Sequence, residues 1–163
     1  MNRQQIALAL ALGEAGVPIE VGQFLERLVI QKSVCVLQFA GVNLGYRFHW
    51  YLHGPYSTDL TSDAFWLAGL KQQVKDELKG WRLDDGSRER IASLKDLFTV
   101  APLARLAKHL ELLASVLFIV RTGQSKSDDY AQICHFLQQS EKPFTLAEVT
   151  GGAATLRKYG ISL

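Results

Sequence analysis

Between Glu20 and Ala40 the apolar residues Phe24, Leu25, Leu28, Val29, Val34, Cys35, Leu37 and Phe39 recur so densely that the spacing predicts a largely buried helix. Its polar interruption is Gln31-Lys32, and Gly41 with Asn43 closes it. Upstream, Asn2 to Ala15 reads as a first helix that stops at Gly16, with Pro18 enforcing the break. Downstream the period changes to two. Tyr46, Phe48, Trp50 and Leu52 alternate with Arg47, His49, Tyr51 and His53, the pattern of a short half-buried strand. That strand leads into Gly54-Pro55, which reads as a turn, and Ser57 is placed to cap a helix starting at Thr58. Leu60, Ala64, Leu67 and Ala68 then share the buried face of that helix, which runs to Gly69.

Beyond Gly69 the pattern weakens. Val74 and Trp81-Arg82-Leu83 fit two short strands around a turn, and Lys71 to Lys79 also fits a charged helix. The first alternative gives helix, helix, aromatic strand, helix, hairpin, which is the order of a winged-helix-like unit. The C-terminal half reads as helices. Arg88 to Phe98 is one, and Pro102 opens a longer one in which Leu103, Leu106, Leu110, Leu113, Leu117 and Val120 form a seam. With fewer than three heptads, that seam favours a core helix over a dimerising coiled coil. Ser127 is placed to cap a helix with Tyr130, Ile133, Cys134 and Leu137 on one face. Thr145 and Glu148 form a capping box for the last helix, which Gly151-Gly152 weakens in its middle and Gly160 ends. The expected fold is mainly α: a compact single-domain helical fold spanning residues 1–163 with a short winged-helix-like β element.

Composition supports one domain, since 163 residues at 48% hydrophobic content suffice for one core. Eighteen basic and sixteen acidic residues give a net charge of +2, interspersed along the chain, so no electrostatic footprint announces nucleic acid. Cys35 and Cys134 lie in apolar helical surroundings, which predicts reduced, buried thiols and a cytoplasmic location. The apolar run Ile6 to Leu12 is short and Gly13-Glu14-Ala15-Gly16 is a poor cleavage region, so a first buried helix is expected instead of a leader. No run approaches the roughly eighteen apolar residues of a membrane span.

Candidate chemistry is sparse, and neither a catalytic centre, a cofactor nor a metal is expected. His49 and His53 on one strand would stand about 13 Å apart, too far for one zinc ion. Cys134-His135 is adjacent, which is the wrong spacing for a nucleophile and its base. Asp59 is expected to complement the helix dipole and Asp63 to be solvated. Neither G-x-x-x-x-G-K-[ST] nor G-x-G-x-x-G occurs. The helix from Ser57 to Gly69 would be the reading head of a winged helix, yet it carries Asp59 and Asp63 and no Lys or Arg. The basic residues that follow it alternate with acidic ones, as on a solvated, salt-bridged surface.

Phe24 to Lys32, Leu37-Gln38, Gly45 to Ser57 and Leu60, followed by Leu110 to Ser115 and Lys142 to Thr145 with Leu156 and Gly160, resemble the YwgA-like family of small bacterial and archaeal proteins. The Gln-Lys element followed by an aromatic-Gly-Pro element is more distantly similar to the Panacea domain of toxin–antitoxin systems. The first resemblance implies a mostly helical fold without an agreed biochemical role. The second implies an antitoxin that neutralises a partner by direct contact. Gln31, Lys32, Gly54, Pro55, Tyr56 and Ser57 match the shared motif. The expected function is thus a non-enzymatic protein-interaction module, antitoxin-like or regulatory, with Gln31, Lys32, Trp50, Tyr51, His53, Gly54, Pro55, Tyr56 and Ser57 as partner-binding residues. A protein partner is expected, with a homodimer as a second state and neither nucleic acid nor membrane as a target. The competing class is a winged-helix-like DNA-binding transcriptional regulator.

Overall fold

Ten consecutive residues, Leu28 to Leu37, are buried in one helix, which places it at the centre of the molecule. In the computed structural model, which describes residues 1–70 and 73–163, that helix is α2 (Phe24–Phe39), preceded by α1 (Arg3–Ala15). A hairpin follows, β1 (His49–Tyr51) and β2 (Gly54–Tyr56), and then α3 (Thr58–Leu70), α4 (Gln73–Glu77) and α5 (Asp85–Leu94) with a 3-10 turn, Lys95–Phe98. The C-terminal half comprises α6 (Leu103–Arg121), α7 (Tyr130–Gln139) and α8 (Leu146–Lys158). The protein is mainly helical with one small antiparallel sheet, as its periodicity predicts.

The most extensive packing is α2 against α6. Leu106, Leu110, Leu113 and Leu117 of the α6 seam are buried within the chain, so the seam is a core feature. On its other side α6 meets α7 and α8. Helix α8 runs unbroken through Gly151-Gly152, and Gly152 lies against Leu112: a Cβ there would stand 3.2 Å from the Leu112 side chain. Its capping box at Thr145 and Glu148 is formed. Arg90 donates to the carbonyls of Ala40, Tyr159 and Gly160, holding the ends of α2 and α8 with a charge suited to helix C-termini. Cys35 and Cys134 are buried free thiols.

Four local expectations change. The hairpin expected around Val74 and Trp81-Leu83 is absent there: residues 73–77 are helical, 81–83 form no strand, and Lys71 and Gln72 lie outside the described residues. An i,i+3 pair between Lys79 and Asp76 supports the helical alternative. The turn of the real hairpin is Leu52-His53, while Gly54-Pro55 begins its second strand. In a sheet of only two strands every strand is an edge, where proline's missing N–H is tolerated. Asp129, not Ser127, caps α7. Asp63 is not simply solvated, since it accepts from Tyr46 Oη and Gln5 Nε2, each at 2.8 Å.

Candidate functional site

A polar residue inside a helix buried on all sides must find partners in the core. Two glutamines of α2, seven residues and so two turns apart, find them in the same segment. Gln31 Oε1 accepts from Ser57 N at 2.9 Å while its Nε2 donates to Ser57 O at 2.8 Å. Gln38 repeats the arrangement on Tyr46, both bonds at 2.8 Å. Each amide thus satisfies a whole backbone unit as a neighbouring strand would. The segment from Tyr46 to Ser57 is fastened to α2 at both ends.

Two buried lysines fasten its middle. Lys32 Nζ donates to Pro55 O at 2.6 Å, and Lys142 Nζ donates to Leu52 O at 2.8 Å and pairs with Glu111 Oε1 at 2.7 Å. They close on Gly54, whose φ of +80° and crowding both require glycine: a Cβ there would lie 2.5 Å from Ser115 Oγ and 3.8 Å from Lys32 Nζ. Lys32 is 2% exposed. Burial lowers its ammonium to about 8, the nearby Lys142 charge acts in the same direction, and Cys35 and Glu111 oppose it. The same burial pushes the Cys35 thiol up to about 12.

Above Lys32 opens a cleft of about 240 Å³, walled by Phe24, Arg27, Leu28 and Gln31 of α2, by Tyr51, His53, Gly54 and Tyr56 of the hairpin, and by Thr61 and Phe65 of α3. Its rim is aromatic and exposed, with Phe24 at 49%, Tyr51 at 60% and Phe65 at 49% of their surface. The rings support one another: Phe24 meets His53 edge-on at 4.9 Å between centroids, and Tyr51 lies 5.6 Å from Tyr56. Thr61 Oγ1 donates to Tyr56 Oη at 2.8 Å and fixes that ring.

The structure brings together Gln31, Lys32, Tyr51, His53, Gly54 and Tyr56 from the expected site. Pro55 and Ser57 are buried supports behind it. Trp50 points elsewhere, packing on Phe136 at 5.1 Å and Phe118 at 5.8 Å, so it does not line the cleft. Its alternation with Tyr51 had already put it on the opposite face of the strand. Phe24, Arg27 and Leu28 were missed, although with Gln31 they stand at i, i+3, i+4 and i+7 on one helical face. Thr61 and Phe65, an i,i+4 pair, were missed likewise, as was the buried Lys142–Glu111 pair.

Fold and site together define a helical domain presenting an aromatic cleft with a cationic floor. No protein-family model, no curated protein and no solved structure matches the chain. Among the described residues no three or more His, Cys, Asp or Glu side chains gather as a metal site, and no helix is long and apolar enough to cross a membrane.

Proposed function

We propose that the protein is a non-enzymatic interaction module that seats a side chain of a protein partner in the aromatic cleft. The observation that carries this reading is the exposure of Phe24, Tyr51 and Phe65, each about half or more, around one concavity. Exposed aromatic groups rimming a pocket supply contact area at low entropic cost and concentrate binding energy. Preorganisation supports it further, since the backbone carrying Tyr51 and Tyr56 is bonded to α2 through Gln31 and Lys32. The resemblance to the Panacea domain agrees with neutralisation of a partner by direct contact, and the YwgA-like resemblance covers the same residues.

The reading is tested with tagged protein used to capture partners from its native lysate, followed by reconstitution with the purified partner identified by mass spectrometry. Tyr51→Ala with Phe65→Ala abolishes the reconstituted complex, while Glu141→Gln, outside the cleft, leaves it intact. Sedimentation of the isolated protein shows whether a second copy is the occupant, through a dimer that the same double substitution dissociates. A strictly monomeric protein that captures nothing specific would sink the proposal.

A further inference from the structure

Lys142 and Lys32 are buried side by side, yet only Lys142 has a carboxylate. Glu111 Oε1 sits 2.7 Å from Lys142 Nζ, whereas among the described residues no carboxylate reaches ion-pair distance of Lys32, whose one hydrogen-bond acceptor is the neutral carbonyl of Pro55. A buried ammonium beside a second ammonium, with the nearby Glu111 carboxylate already paired to that neighbour, is an unfavourable arrangement that an incoming anion relieves. The residues around the cleft repeat the same imbalance. Arg27 and Lys32 line it, and among the described residues no Asp or Glu does. Apart from these cations the walls are largely apolar or aromatic, and the volume of about 240 Å³ suits one large side chain.

The cleft therefore asks for an apolar group and an anion on the same residue. An internal Phe or Leu brings no charge, and an Asp or Glu side chain brings no apolar bulk. A chain terminus brings both, because the last residue of a polypeptide carries its side chain and its α-carboxylate on one carbon. It also needs a single way out of the cleft, where an internal residue needs two. Resting on the interaction reading above, we infer that the occupant is the C-terminal residue of a partner chain, apolar or aromatic, with its α-carboxylate directed at Lys32. Arg27, whose Nη1 donates to Val21 O at 2.8 Å, stands on the same wall as a second cation.

The test is a proton–nitrogen NMR titration of the isotope-labelled full chain near pH 7 with three probes. N-acetyl-phenylalanine carries ring and terminal carboxylate, N-acetyl-phenylalaninamide carries the ring alone, and acetyl-Gly-Phe-Gly-Glu-amide carries the ring internally and a carboxylate elsewhere. The free acid shifts the amides of Gln31, Lys32 and Tyr51 to Tyr56 and binds at least ten-fold more tightly than either other probe. In Lys32→Met, with core amides unshifted to show that it is folded, the preference for acid over amide falls to what Arg27 alone provides, and an undiminished preference takes Lys32 out of the carboxylate's site. The comparison of acid with amide on the unaltered protein stands even if that variant fails to fold. Equal binding of acid and amide removes the carboxylate from the site while leaving the cleft as a partner site. Equal binding of the internal-Phe probe removes the terminus, and no shift at the cleft with any probe overturns the inference outright. Failure of the interaction reading itself shows differently, as the absence of any captured partner.

Discussion

Replacing Lys32 by methionine isolates the energetic cost of a buried ammonium. The native amine titrates at about 8 against an ordinary 10.5. That difference corresponds to about 3 kcal/mol of lost stability while both native and unfolded chains are protonated. Below a pH of about 8 the full cost is present. As pH rises from there toward 10.5 the native chain sheds its proton first, the unfolded chain binds more, and this group's cost falls. The neighbours titrate in opposition. Cys35, pushed up to about 12 by burial, keeps its proton in the native state while the unfolded thiol loses it from about 9 upward, so stability falls there. Tyr46, raised by burial and by its bond to Asp63, acts the same way above about 10. The informative window is therefore from about pH 7 to 9, read as a difference between proteins. Integrating the Lys32 titration over it, the unaltered protein gains about 1 kcal/mol relative to Lys32→Met. Urea denaturation at three pH values, with the slope held common, measures this directly. Parallel stability curves for the two proteins would refute a charged, desolvated Lys32.

Gly54→Ala should destabilise the fold by about 2–4 kcal/mol, part from a left-handed backbone and part from the 2.5 Å approach to Ser115 Oγ. Adding Ser115→Ala should restore only the second part in thermal unfolding, and full restoration would show that the backbone conformation is not strained. Gln31→Leu leaves the N–H and carbonyl of buried Ser57 without that partner and should cost about 2–4 kcal/mol, with chemical denaturation as the measure. Pro55→Ala with Ser57→Ala should cost about 1–3 kcal/mol, and an unchanged denaturation midpoint would remove the support role of this corner. Duplex DNA should bind weakly near physiological salt, because α3 carries Asp59 and Asp63 and no basic residue; sub-micromolar, salt-dependent binding in a titration would contradict this.

Elements whose signals are local were legible in the sequence. The burial of α2, the α6 seam and the capping box of α8 depend on periodicity or on residues three apart, and all three stand as read. The hairpin was half legible. Alternation marked its first strand, but Gly54-Pro55 passed for the turn because what fastens the backbone on either side of Gly54 is Lys142 on Leu52 O and Lys32 on Pro55 O, both distant in sequence. The cleft was legible only along the hairpin and the Gln31-Lys32 pair. Its remaining walls come from α2 and α3, and which helical faces meet over a hairpin follows from tertiary packing that no local pattern encodes. Trp50 was drawn in by its aromatic character although its parity along the strand already opposed Tyr51.

Gln31, Gln38, Lys32 and Lys142 all grip main-chain atoms of the 46–57 segment. An N–H or a carbonyl is present whatever side chain hangs beside it. The anchoring is therefore blind to the identity of Tyr51, Leu52 and His53, which are free to vary in size, charge or ring character without loosening the frame. A substitution at Tyr51 or His53 therefore recasts the lining of the cleft while the frame beneath stays as it is.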